Sequence, residues 1–397
     1  MSKLQRTAIS KFLGLNTADD PARLGKGWLQ QADNVIITDT GAVERRDGYS
    51  LALSATPRGA YTMADFSRMY LVNDTSLVQV MPDMTTRVLA TGYARRPMYF
   101  VEVNNEVFFT NGVNSGRIMA DGRVLPWGWT IPQEPTLEAA SGTMPAGMYR
   151  VICSFLLADG RETGTSREAR ITLDDNQALR ITNIPQMAGA RTAVYIAAAN
   201  STVFRRAFDT TLPAATWNGG ANSLSVEAAT QFAMPLPRDA ILPAAFEGRV
   251  YVASFDAARN VSTLWASEPL AWHLFKPQKS FLQVVGRAGV LTSTDEGLVI
   301  GTDETIMRWT GEKMEQLADY GVVPGYNVAT DSETGDTYTW TQRGVCRLSP
   351  FQNLTEGHLR VPPGVQAGGC VIRSRGQSHF VVALQSGGEA FNPRSTP

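Results

Sequence analysis

The sequence is poor in the residues that carry most enzyme chemistry. Histidine and cysteine occur three times each in 397 residues. His273, His358 and His379 stand in unrelated contexts, none with a second histidine four residues on. No helical metal pair or local histidine base is therefore written into the chain. Cys153, Cys346 and Cys370 are odd in number and lack metal-ligand spacing, so they read as reduced strand or core thiols. Gly-x-Ser-x-Gly, His-Glu-x-x-His and Walker-type loops are missing, and Gly25-Lys26-Gly27 is too short to cradle phosphate. Charged residues make up only 18%, with a net charge of −1. That excludes the basic footprint of a tight nucleic-acid binder, though not a surface that lets DNA slide past. No apolar run approaches the ~18 residues of a membrane span, and the first residues lack a signal-peptide core. The expectation is a soluble product made in the cytoplasm, without membrane insertion.

What the chain does have is turns and short strands. Asp295–Gly311 holds the pattern in miniature: a turn at Asp295-Glu296-Gly297, then the β-branched run Leu298-Val299-Ile300. A second turn at Gly301-Thr302-Asp303-Glu304 leads into an alternating return strand from Thr305 to Trp309. Turn residues that tolerate positive φ or cap their own backbone, flanked by period-two strands, predict a β-hairpin. Similar units recur at Arg68–Val80, Asn105–Met119, Glu247–Ala266 and Gly335–Leu348, and a last strand spans Ser378–Leu384. Their spacing is roughly 40–45 residues, apart from one much longer gap, and periods of that size mark a β-propeller.

The long gap leaves about 100 residues beyond one blade, the size of a β-sandwich module. Prolines bracket it, with Pro126, Pro132 and Pro135 on entry and Pro235, Pro237 and Pro243 on exit. Strands are expected at Gly147–Leu156, Ala169–Leu173, Ala178–Ile181 and Thr192–Ala197, an arrangement that resembles a fibronectin type III-like domain. The organisation expected is therefore all-β. Residues 1–33 form an extended segment with at most short helical turns, one starting at Asp20-Pro21. The first part of a propeller of about six blades occupies 34–132 and a sandwich insertion 133–237. The second part occupies 238–386, and a polar tail 387–397. Because exposed edges are avoided, a strand from Asn34–Tyr49 is expected to pair near His379–Leu384 and close the ring.

Candidate chemistry is thin. Adjacent carboxylates at Asp19-Asp20, Asp174-Asp175 and Asp303-Glu304 fall in turns or at a helix start, where they serve the backbone better than a glycosidase mechanism. Ser293-Thr294-Asp295-Glu296-Gly297 resembles the start of the Asp-box of sialidases, but Val299 and Ile300 replace its Thr-Trp ending. Trp127-Gly128-Trp129 could stack on sugar. Its flanking prolines favour packing at a domain junction.

The N-terminal stretch carries a family resemblance. Phe12-Leu13-Gly14-Leu15-Asn16-Thr17 is followed by Asp20-Pro21-Ala22-Arg23-Leu24 and Ala32-Asp33-Asn34-Val35. Gly41-Ala42-Val43-Glu44-Arg45-Arg46-Asp47-Gly48-Tyr49 completes the series. Their order resembles the opening of bacteriophage tail hub or nozzle proteins, also called tail stabilisation proteins. The resemblance implies a structural virion protein, not an enzyme, with no cofactor, metal or catalytic residue. It implies a ring of six below the head-to-tail adaptor, in contact with other tail proteins or fibres, through which double-stranded DNA passes. Ring contacts are expected on the N-terminal segment and the insertion, with Trp28, Arg45, Arg46, Arg205 and Arg206 as candidates. The alternative is a propeller that binds or hydrolyses a bacterial surface glycan as a monomer, through acids at one mouth.

Overall fold

The computed structural model describes residues 9, 11–38, 40–374 and 376–386, so the expected polar tail at 387–397 lies outside the described residues. The fold is all-β: among the described residues there is no α-helix, only two three-residue 3-10 turns. One of these is Pro21–Arg23, where Asp20 accepts from the Ala22 N–H at 2.9 Å, as its Asp-Pro start predicts.

Strands group into sheets that are local in sequence. The first sheet joins Pro57–Thr62, Met69–Asn73, Ser76–Val80 and Thr86–Thr91. The second joins Tyr99–Val103, Glu106–Thr110, Ser115–Ile118 and Val124–Leu125. A third begins at Ile241–Phe246 and includes Arg249–Asp256, Val261–Glu268, Ala271–Phe275 and the edge strand Phe281–Val285. The fourth runs Ala288–Thr294, Gly297–Thr302, Ile306–Trp309 and Met314–Ala318. The fifth runs Val328–Thr330, Thr337–Thr341, Gly344–Leu348 and Phe351–Asn353. The sixth stops after two long strands, Gln366–Ser374 and Gln377–Gln385, with Gly325–Tyr326 parallel to the first of them.

In the second and fourth sheets the second strand is the most deeply buried. Glu106–Thr110 and Gly297–Thr302 are buried at every position, because they are sandwiched between their own sheet's neighbours and the cores between sheets. Apolar clusters link one sheet to the next: Tyr70 and Val72 pack with Val107 and Phe109, and Val299 and Ile306 with Cys346 and Leu348. Burial of these side chains, at roughly 1.5–3 kcal/mol each, is what holds sheet to sheet.

Between the second and third sheets the chain builds a pair of sheets around a separate core. One orders Thr136–Met144, Gln177–Thr182 and Ala215–Trp217; the other orders Ala169–Leu173, Gly147–Leu157, Ala190–Ala197 and Arg205–Thr210. Tyr149, Val151, Cys153 and Val194 from the second meet Leu179, Ile181 and Trp217 from the first.

One expectation is corrected. Val35–Ile37 and Val43–Arg45 pair only with each other, and Gln377–Gln385 pairs only with Gln366–Ser374 among the described residues. The 34–49 hairpin is held instead by the N-terminal segment, through the Phe12 N–H to the Gly41 carbonyl at 2.8 Å. Its short arms pair with one another, and it lies beside the sixth sheet, touching it where Ser374 donates to Asp47 at 3.0 Å.

Candidate functional site

Two places gather side chains from distant parts of the chain. The first is a cavity of about 570 Å³ walled by the leading strands of all six sheets. Ala60, Phe100, Leu242, Val290, Val328 and Gly369 represent sheets one to six in its lining. Tyr326 ties the start of the wall to its end: its hydroxyl lies 2.7 Å from the Arg58 carbonyl and 2.8 Å from the Met98 carbonyl. Burial pushes this phenol far up from its ordinary value, so it stays a neutral hydrogen-bond donor. Leading strands approach so closely that side chains are excluded at some positions. A Cβ on Gly325, where φ is +133°, would lie 2.0 Å from the Ala367 carbonyl oxygen.

The lining is aromatic and aliphatic apart from the Cys370 thiol, with no carboxylate, amine, guanidinium or imidazole. Its proton-bearing side chains are the phenols of Tyr61, Tyr99 and Tyr326 and the thiol of Cys370. The adjacent carboxylates are committed elsewhere, as their turn positions predict. Asp303 accepts from the Arg287 N–H at 2.7 Å, Glu304 accepts from Asn260 at 2.6 Å, and Asp175 accepts from the Ala146 N–H at 2.8 Å.

The second place is a buried ionic junction between the inserted sheets and the second and third sheets. The loop after Gly147–Leu157 carries Asp159, Arg161 and Glu162 back to the hairpin that holds Glu106 and Arg117. Arg117 is fully buried and donates to Glu106 at 2.9 Å and to Asp159 at 3.2 Å. Arg161 reaches the other oxygen of Glu106 at 2.8 Å, so one carboxylate serves two guanidiniums. Glu162 accepts from Tyr195 at 2.6 Å and from Ser154, while its carbonyl lies 3.1 Å from His273 Nε2. Burial lowers the His273 pKa and holds the ring neutral; the nearby Arg117 acts in the same direction, against Asp159 and Glu106. Trp129 meets His273 edge-on at 5.9 Å and lies under the Arg117 guanidinium at 5.3 Å. Its neighbour Trp127 is buried against Phe108 and donates its indole N–H to the Trp272 carbonyl at 2.9 Å. The Trp-Gly-Trp motif thus packs at the junction, with Trp127 buried and Trp129 half-buried.

The residues expected at ring contacts fall in separate places. Trp28 is half-buried, with its ring 4.6 Å from His358. Arg45 is exposed on its short strand, and Arg46 sits 5.7 Å over the Tyr49 ring. Arg205 approaches Glu227 at 3.8 Å and Arg206 donates to Asp209 at 2.7 Å, both on the inserted sheets. Among the described residues, no group of three or more His, Cys, Asp or Glu is placed to hold a metal ion, and no helix is long and apolar enough to cross a membrane.

Sequence reading missed Glu106, Arg117, Asp159, Arg161 and Glu162. A usable signal was present: Glu106 and Arg117 are lone charges inside the otherwise apolar strands Glu106-Val-Phe-Phe and Gly-Arg117-Ile.

No protein-family model matches the chain, and no curated protein matches it. Solved structures give distant likenesses. The extracellular domain of a hybrid two-component system from B. thetaiotaomicron shares 10% identity over 76% of this chain, with a TM-score of 0.29. The present chain spans only 32% of that protein's length. Virginiamycin B lyase from Staphylococcus aureus shares 9% over 80% of this chain and 88% of its own, at 0.32. Dipeptidyl peptidase 4 from Porphyromonas gingivalis shares 8% over 81% and 48%, also at 0.32. Likeness at this level assigns neither an activity nor a substrate.

Proposed function

We propose that this protein is a structural component of a bacteriophage tail, a hub or nozzle subunit. In this reading the six sheets are blades of a β-propeller and the 136–217 sheets are a fibronectin type III-like insertion. Copies assemble as a ring of six on the head-to-tail adaptor, in contact with other tail proteins or fibres. The observation that carries the reading is the wall of leading strands from six successive sheets, tied from residue 326 back to residues 58 and 98. Together with the Gly-Leu-Asn to Arg-x-Gly-Tyr series at the N-terminus, it supports a rigid, fanned scaffold of the kind the resemblance implies.

Physical chemistry favours a scaffold over a catalyst. The uncharged cavity offers no carboxylate, imidazole or amine, and the conspicuous carboxylates brace turns or ion pairs. The cavity is also too small for a DNA duplex, whose major groove alone is ~12 Å across. A genome channel must then run along the axis of an assembly, between copies, and a near-neutral surface there would not brake the passing phosphates. The test is mass measurement and electron microscopy of the purified chain with a head-to-tail adaptor. A six-fold ring with an open axis is expected. A lone subunit that hydrolyses a bacterial surface glycan would overturn the proposal in favour of the enzyme alternative.

A further inference from the structure

Exposed strand edges invite pairing, and proteins guard them with charges, bulges, proline or brevity. Most outer strands here are guarded. Thr86–Thr91 carries Arg87 and an irregular register, and Met314–Ala318 carries Glu315 and another irregularity. Val124–Leu125 and Phe351–Asn353 are two and three residues long. On the inserted sheets, Thr136–Met144 has Glu138 and a register shift, and Arg205–Thr210 has two arginines, an aspartate and a shift.

Among the described residues, two edges lack every guard. Gln377–Gln385 is nine residues long, pairs in unbroken register with its hairpin partner, and contains no charged residue and no proline. Its Phe380, Val381 and Val382 are half-exposed, and no strand among the described residues pairs with its outer edge. Phe281–Val285 on the third sheet is likewise uncharged and unbroken in register, with Phe281 45% and Val285 55% exposed.

We propose that copies of this chain join head to tail by strand addition, the free edge of Gln377–Gln385 in one copy pairing with the free edge of Phe281–Val285 in the next. Different patches meet in such a contact, so repetition closes a ring when the rotation closes. An edge pairing with its own equivalent would stop at a two-fold dimer. In a six-bladed fan the third and sixth sheets lie on opposite flanks, which leaves both edges free to engage different neighbours. The inference deepens the ring reading above and rests on it.

The experiment uses the full chain with Cys370→Ser, so that the remaining cysteines, Cys153 and Cys346, are buried. Ala383→Cys and Gln283→Cys are made separately at exposed positions and treated with a short bis-maleimide. Covalent dimers are expected when the two variants are mixed and not from either alone. Ala383→Lys, which adds the missing guard, is expected to lose the assembled species while keeping its strand circular dichroism. Cross-linking of Ala383→Cys with itself would overturn the head-to-tail geometry. A parent chain that forms rings while the mixed variants fail to cross-link would overturn the edge contact alone. A parent chain that remains monomeric, by itself and on the adaptor, would overturn both the contact and the ring.

Discussion

Gly325 and Tyr326 are adjacent residues that do opposite jobs at one spot. The glycine lets two backbones approach, and the tyrosine bridges two others. Gly325→Ala forces a Cβ onto the Ala367 carbonyl at a φ that alanine rarely adopts. A loss of about 1–3 kcal/mol is expected, read as a lower urea midpoint. Gly368→Ala, one strand away with open space around its Cβ position, should change little. Tyr326→Phe removes the hydroxyl shared by the Arg58 and Met98 carbonyls, for an expected loss of roughly 0.5–1.5 kcal/mol. The cysteines divide just as sharply. Burial pushes the Cys153 thiol up to about 12 and raises that of Cys346 as well, whereas Cys370 is exposed. Native protein should therefore take up one maleimide quickly, at Cys370, and the other two only after denaturation.

Where elements meet, the ionic junction dominates. Glu106→Gln strips Arg117 and Arg161 of a shared counter-charge in a buried setting, and a loss of about 3–5 kcal/mol is expected. Replacing both strand partners, Glu106→Leu with Arg117→Met, should recover much of it, because no charge is then left on that hairpin to be desolvated. His273 adds a pH dependence to the same junction. Its folded pKa lies below the ordinary 6.5, so between the two values the unfolded chain binds the proton that the folded one refuses. Stability from this group is complete above about pH 6.5 and falls as pH drops through the folded value. His273→Gln should flatten that part of a urea-midpoint profile.

Strands and turns were legible in the sequence because their causes are local. Asn73-Asp74, Asn111-Gly112 and Asp295-Glu296-Gly297 set turns, and alternation set the faces. The cavity wall and the junction were not, since both need sheets more than a hundred residues apart to be placed first. Asn34–Tyr49 shows the limit most clearly. Its strand character was readable, but its partner was not, because a hairpin whose arms pair with one another carries no mark of what lies beside it.

Across the whole molecule, the near balance of 36 basic and 37 acidic side chains is a functional expectation as much as a composition. Fluorescence anisotropy with a duplex probe at physiological salt should show no saturable binding by the isolated chain, since no set of phosphate contacts stands ready to release counterions. The tie between residues 326 and 98 also bears on how the protein is made. These positions are 228 residues apart. At ~5–20 residues per second the ribosome needs roughly 10–50 s to deliver the tyrosine after the carbonyl it will bridge. Through that interval the earliest sheets wait beside an unfinished wall, with apolar leading strands bare to solvent. Truncated translation products should therefore be caught by chaperones far more often than the finished chain.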